Sequence, residues 1–161
     1  MRIGVVSDTH DNARSVARIV EILSRAGVER VVHTGDITRG ATLEQLARIE
    51  APLFGVYGNN DVLRDELDQV AARLGITLAE PPFEVAWGGR EVLIAHDPLQ
   101  LDGALREEHS LVLHGHNHLR TIERSLSRLT FNPGECAGHL HGYNAVGVID
   151  LDTLTPDVLL F

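Results

Sequence analysis

The sequence predicts an α/β domain that finishes as β, and three observations lead there. Three short apolar runs in the first half each end in polar residues and lead into a stretch of helical periodicity. After Pro81-Pro82 that rhythm stops, and a hairpin pattern begins around Gly88-Gly89. Beyond residue 110 the remaining apolar stretches alternate as half-buried strands do. Strands alternating with helices predict right-handed crossovers, a largely parallel sheet, and functional loops at the strands' C-terminal ends. The 161 residues carry no linker, repeat or low-complexity segment. Residues 1–161 are therefore expected to form one domain with two sheets.

The first unit is Ile3-Gly4-Val5-Val6, closed by Ser7-Asp8-Thr9-His10-Asp11-Asn12. Val16, Ile19, Val20, Leu23 and Ala26 then recur at helical spacing, with Asp11 or Asn12 as the cap and Gly27 past the end. In the second unit Val31-Val32 leads to Gly35-Asp36. Thr42 and Gln45 there suggest a capping box for a helix that buries Leu43, Leu46 and Ala47. The third runs from Leu53 to Tyr57, through Gly58-Asn59-Asn60-Asp61, to a helix carrying Leu63, Leu67, Val70, Ala71 and Leu74 and stopped by Gly75. Phe83 to Trp87 and Arg90 to Ala95 form the expected hairpin, whose second strand delivers His96. A weak helix is expected around Leu101 to Glu108, then a buried strand at Leu111-Val112-Leu113. Arg120 to Ser125, Leu129 to Asn132, Ala145 to Asp150 and Val158 to Phe161 read as antiparallel strands.

Composition excludes several classes of protein. With 43% hydrophobic and 23% charged residues, and no apolar run near the roughly 20 residues of a membrane span, the chain reads as globular rather than membrane-bound. The N-terminal apolar run meets Ser7 and Asp8 too early for a signal peptide, and the lone Cys136 has no internal partner. A reducing, cytoplasmic location is the expectation. A formal charge of -9 opposes general binding to nucleic-acid backbones, which needs basic patches. Cations held by Asp8 and Asp36 would still make the local field positive, so a small anionic substrate remains admissible. The oligomeric state is open, and a homo-oligomer is compatible with the sequence.

The chemistry gathers at strand ends. Gly115 lets the chain turn after the Leu111–Leu113 strand, so two or three of His114, His116 and His118 can share one site. The earlier strands hand over Asp8, His10, Asp36, Asn59 and His96. Singly each has an ordinary structural explanation: an aspartate as a helix cap, Asn59 in a turn, His96 as a satisfied core histidine. Together the mixed nitrogen and oxygen set exceeds what one tetrahedral zinc needs. It suits two cations ~3.5 to 4 Å apart, sharing a carboxylate.

These motifs, Asp8-Thr9-His10, Gly35-Asp36, Gly58-Asn59-Asn60-Asp61, His96 and Gly115-His116-Asn117-His118, occur in an order that resembles the calcineurin-like metallophosphoesterases. The short length and the Gly-Asn-Asn-Asp form are similar to the small phosphodiesterase branch, which includes the retromer scaffold subunit. The resemblance implies a four-layer αββα sandwich of two mixed sheets, with one metal on Asp8, His10, Asp36 and His118. It implies a second metal on Asp36, Asn59, His96 and His116, with Asp36 as the bridge. The implied activity is phosphodiester hydrolysis by a metal-bridged hydroxide attacking phosphorus in line. Manganese is the expected metal, with iron, nickel or zinc as alternatives. The implied alternatives are a non-catalytic interaction scaffold and a phosphomonoesterase.

The chain departs from the family pattern in three places. Typical members of the family with stronger leaving-group assistance carry histidine after the metal-binding asparagine. Here that position is Asn60, which contacts substrate in this reading but donates no proton, and Asp61 is expected to orient Asn60 or a ligand. Asp97-Pro98 replaces Gly-His, and Glu135 replaces the serine of Asn-Pro-Gly-Ser. Both changes add negative charge and are expected at the rim, or they select a substrate with fewer phosphate charges. His139 and His141 either line the entrance and contact substrate or belong to a solvated glycine-rich loop, while His33 and His114 are expected to pack or support ligands.

Overall fold

The computed structural model describes all 161 residues. The first half forms the three expected units: β1 (Arg2–Val6), α1 (Ala13–Ala26), β2 (Arg30–His33), α2 (Gly40–Leu46), β3 (Leu53–Val56) and α3 (Arg64–Leu74). A short β4 (Thr77–Ala79) follows, then β5 (Phe83–Trp87), β6 (Arg90–Ile94), β7 (His109–Leu113), β8 (Thr121–Arg124), β9 (Leu129–Asn132), β10 (Ala145–Asp150) and β11 (Thr155–Leu160). One sheet has the order β11-β10-β1-β2-β3-β4, the other β5-β6-β7-β9-β8.

Both sheets are mixed. Strands β1 to β4 run parallel, and β10 closes antiparallel on β1 with Ile3 opposite Ile149. In the second sheet β9 is antiparallel to β8, as the alternation predicts, but parallel to β7. That β9 also pairs with β7 was not legible in the sequence, because residue periodicity does not name a strand's partners.

Strand alternation sorts the core into two layers. Ile3, Val5, Val32 and Val56 point between the sheets and meet Val92, Ile94, Leu111, Leu113 and Phe131. Val6, Val31, Val146 and Val148 point the other way, against Val16, Ile19 and Leu23 of α1, Leu43 and Leu46 of α2, and Leu67 of α3. Each fully buried aliphatic side chain contributes about 1.5–3 kcal/mol relative to exposure. Leu93 and Val112 lie on the outer face of the second sheet and are buried there. On that side the crossover from β6 to β7 holds only a short 3₁₀ helix, Pro98–Leu101, so the fourth layer of the sandwich is thin.

Local expectations fared unevenly. Asn12 caps α1 by accepting from Ser15 N–H at 3.1 Å, and Gly27 ends it in the left-handed region. The Thr42–Gln45 capping box does not form. The helix begins earlier, Thr42 lies inside it, and Glu66 of α3 accepts the Gly40 N–H at 2.8 Å. No α-helix forms over Leu101 to Glu108. Asp97 instead caps the 3₁₀ turn, which ends at Asp102 in an extended conformation ahead of Gly103 at φ 77°.

Candidate metal centre

Asp8, His10, Asp36, Asn59, His96, His116 and His118 converge where the two sheets' C-terminal strand ends meet. Asp36 stands between two groups of nitrogen donors. Its Oδ2 lies 3.4 Å from His10 Nε2, and its Oδ1 lies 3.5 Å from His96 Nε2. On one side His10 Nε2 and His118 Nε2 are 3.3 Å apart, with Asp8 Oδ1 3.7 Å from the latter. On the other, Asn59 Oδ1 is 3.0 Å from both His96 Nε2 and His116 Nδ1.

The backbone is bent to achieve this. Asp8, His10, Asp36, His116 and His118 all have positive φ, between 43° and 72°, a conformation that costs non-glycine residues and gathers at functional sites. Two glycines make room for the ligands. A Cβ on Gly58 would lie 2.2 Å from Asp36 Oδ1, and one on Gly115 would lie 2.0 Å from Ser7 Oγ and 2.8 Å from Asp8 Oδ2.

Hydrogen bonds fix which ring nitrogens face inward. His96 Nδ1 donates to the Thr34 carbonyl at 2.8 Å, and His118 Nδ1 donates to Glu135 Oε2 at 3.0 Å. The Nε2 lone pairs of both rings therefore point at the cluster. Asp61 accepts from the N–H groups of Asp36 (3.0 Å), Thr38 (2.6 Å) and Gly58 (2.6 Å). Of the two expected roles for Asp61 the structure supports holding a ligand, since it ties down the backbone of Asp36. Asn60 donates to both Asp36 oxygens, through its N–H at 2.9 Å and its amide at 2.7 Å.

The donor set fits divalent cations. Asp8 Oδ1 is buried and has no hydrogen-bond partner, an expensive arrangement unless something else neutralises it. Burial pushes the Asp8 carboxyl above its ordinary range and the His10 imidazole below it. A cation between them reverses the pressure on Asp8 and uses the neutral imidazole directly. His10 Nε2 and the inward Nε2 of His118, 3.3 Å apart, would both serve as donors to one cation placed between them.

The positions around this core differ in their fates. His139 lies over the cluster, its ring 5.4 Å from that of His10 and 5.8 Å from that of His118. His141 is exposed and makes no hydrogen bond or ring contact with the cluster. His33 is buried and sits behind it. Gly35 N–H donates to His33 Nδ1 at 3.2 Å, Nε2 faces Thr9 Oγ1, and burial pushes its pKa down to about 3. His114 is buried, with its ring toward the Gly115 carbonyl.

Glu135 is not at the rim. It is fully buried, with one oxygen on His118 and the other accepting from Leu140 N–H at 2.6 Å. Burial alone would raise its pKa, but the Leu140 N–H and His118 hold it below the usual range. No local signal marks it, because its partner His118 is 17 positions away. Asp97 is partly buried, caps the 3₁₀ turn through Leu99 N–H at 2.9 Å, and lies 3.6 Å from His116 Nε2.

A two-sheet sandwich with a histidine, carboxylate and amide cluster at its strand ends defines a metallophosphoesterase-type centre. Residues 1–154 match the calcineurin-like phosphoesterase superfamily domain, and the chain belongs to that family. It is 30% identical over 156 residues to phosphodiesterase MJ0936 of Methanocaldococcus jannaschii, covering 94% of both proteins. It is 24% identical to phosphodiesterase YfcE of Escherichia coli K12, covering 96% of this chain and 90% of that protein. The solved structure of an archaeal phosphodiesterase superposes over 100% of both chains with a TM-score of 0.90 at 28% identity. Vps29 of Entamoeba histolytica with Zn²⁺ shares the fold, at TM-score 0.69 and 16% identity, over 100% of this chain and 98% of that one.

Proposed function

We propose that this phosphoesterase is a phosphodiesterase dependent on two divalent cations, with Asp8, His10, Asp36 and His118 holding one and Asp36, Asn59, His96 and His116 the other. The observation that carries this reading is Asp36, whose two oxygens face two separate nitrogen groups at 3.4 and 3.5 Å. Such cations, when bound, acidify water near neutral pH and neutralise charge on the phosphate oxygens. Imidazole-rich sites suit manganese, iron, nickel or zinc better than calcium, and manganese is our first choice.

The chain's own residues do the positioning. Asp61 fixes the loops around the bridge by accepting from the N–H groups of Asp36, Thr38 and Gly58. Glu135 and the Thr34 carbonyl hold His118 and His96 in the tautomer that offers Nε2 inward. Asn60, beside the bridge, supplies an amide that reaches a phosphate oxygen and no acidic proton to the departing alcohol. His139 covers the His10 and His118 side of the site, where it contacts substrate.

The names of the relatives, both phosphodiesterases, support a small phosphodiester as substrate. The single buried thiol, Cys136, supports a cytoplasmic location, and no helix is long and apolar enough to cross a membrane. Assaying the purified protein on an activated aryl diester and an aryl monoester, with and without manganese, tests the reading. Manganese-dependent cleavage favouring the diester is expected. Preference for the monoester, or no turnover of either, would overturn it.

A further inference from the structure

Beside the second half of the centre, next to Asn59, His96 and His116, a cleft of about 240 Å³ opens between the β3–α3 loop and the segment after β6. Its walls are Tyr57, Arg64, Glu80, Asp97 and Gln100. We infer that this cleft takes one alcohol arm of the diester, and that it selects a short hydroxylated arm, such as a glycerol-like polyol, over one carrying a nucleobase or a second phosphate. The inference rests on the phosphodiesterase reading above and adds a substrate class to it.

Three observations carry it. Polar residues dominate the lining, with the carboxylates of Glu80 and Asp97 and the amides of Asn59 and Gln100 around a small volume, the Gln100 oxygen already accepting from the His96 and Asp97 N–H groups at 3.0 Å. At ~30 Å³ per water this is space for about eight waters, enough for a short polyol. Carboxylates accept strongly from hydroxyl groups, so these walls favour a hydroxylated arm over a bare alkyl one. The Tyr57 ring is already covered, since the Arg64 guanidinium lies 4.0 Å over it, and the other rings of the wall, His96 and His116, are proposed metal ligands, which leaves no free ring for a base to stack on.

The charge decides against a second phosphate. Arg64, the only basic side chain in the walls apart from the histidines, is paired with Glu80. Asp97 adds a second carboxylate at the end nearest His116, 3.6 Å from its Nε2. A phosphate on the far end of the arm would meet one engaged guanidinium and two carboxylates. The Arg64–Glu80 pair is itself solvent-exposed, at 41% and 72% of the side-chain surface, so removing Glu80 releases the guanidinium without emptying the core.

Calorimetric titration of the manganese-loaded protein with glycerol phosphate, ethyl phosphate and propanediol bisphosphate tests this. Each added hydrogen bond contributes enough to separate the first two by roughly three- to tenfold. Glycerol phosphate should bind tightest, and the bisphosphate should bind no better than ethyl phosphate. In Glu80→Gln the order should shift, with the bisphosphate gaining at least several-fold relative to glycerol phosphate. Equal affinity for glycerol and ethyl phosphates, tightest binding of the bisphosphate by the unaltered protein, or an unchanged ratio in Glu80→Gln would each overturn the inference while leaving the phosphodiesterase reading intact. Failure of folded, metal-loaded protein to bind any of the three would sink that reading and this inference with it.

Discussion

Replacing Glu135 perturbs the centre while leaving every proposed ligand in the sequence unchanged. Its Oε2 receives the His118 Nδ1 proton at 3.0 Å, and its Oε1 accepts the Leu140 N–H at 2.6 Å. A carboxylate behind a ligating histidine fixes the ring's tautomer and raises the basicity of the other nitrogen, and loss of such a partner typically costs 10- to 100-fold in metal affinity. That range corresponds to about 1.4–2.7 kcal/mol. Glu135→Gln keeps a carbonyl for the His118 proton and loses only the charge, so it should fall near the lower end. Glu135→Ala loses the acceptor, frees the His118 ring and unties the loop that carries His139, so it should fall near the upper end. Competition against a chelating dye measures both, with circular dichroism checking that each variant is folded. If both bound manganese within twofold of the parent, Glu135 would have no part in holding the metal and the tautomer argument would be wrong.

Gly58→Ala places a methyl 2.2 Å from Asp36 Oδ1 and 2.3 Å from Asp36 N. Because backbone cannot swing aside, urea unfolding should show a loss of about 1–3 kcal/mol, and an unchanged midpoint would count against the close packing of the two loops. His33, held neutral with its pKa near 3, gains its proton in the unfolded chain near the ordinary value of ~6.5. The unfolded state therefore binds more protons between those values, and stability should decline by up to about 1.4 kcal/mol per pH unit as pH falls from ~6.5 toward 3. His33→Gln should flatten that part of the stability curve, and an identical slope in both proteins would refute the assignment. With Asn60 bonded to Asp36 and no acid beside it, log rate against leaving-group pKa should be steep for the parent and shallower for Asn60→His. A flat parental slope would mean that another residue, such as His139 or Asp97, supplies the proton.

Much of the candidate site was legible because each proposed ligand lies at or just past the end of an apolar strand, where residue type and position carry the same message. Asp8, Asp36, His96 and His116 stand out as polar residues immediately after buried runs, and the sandwich brings those ends together. What was not legible depends on partners distant in sequence. Thr42 and Gln45 form a plausible capping box, but Glu66 from another helix reaches Gly40 first, and a local pattern contains no information about that. The helix expected over Leu101 to Glu108 had weak periodicity, and Pro98, the Asp97 cap and Gly103 divert the chain into a 3₁₀ turn. Thr77–Ala79 is too short to show a period, and it becomes an edge strand only because β3 lies beside it. Glu135 looked like surface charge because charged residues usually are, and its partner, His118, is 17 positions away. His141 shared its loop with His139, yet only His139 faces the cluster, since sequence proximity in a glycine-rich loop does not set direction.

The central claim is that Asp36 joins two cations in one site, and metal stoichiometry tests it most directly. Protein freed of metal, reconstituted with manganese and passed through a desalting column should carry two ions per chain by elemental analysis. Folded Asp36→Asn, which keeps the size of the side chain and removes the shared charge, should carry one or none and lose activity. One ion or none in the parent, or two retained in Asp36→Asn, would contradict the account.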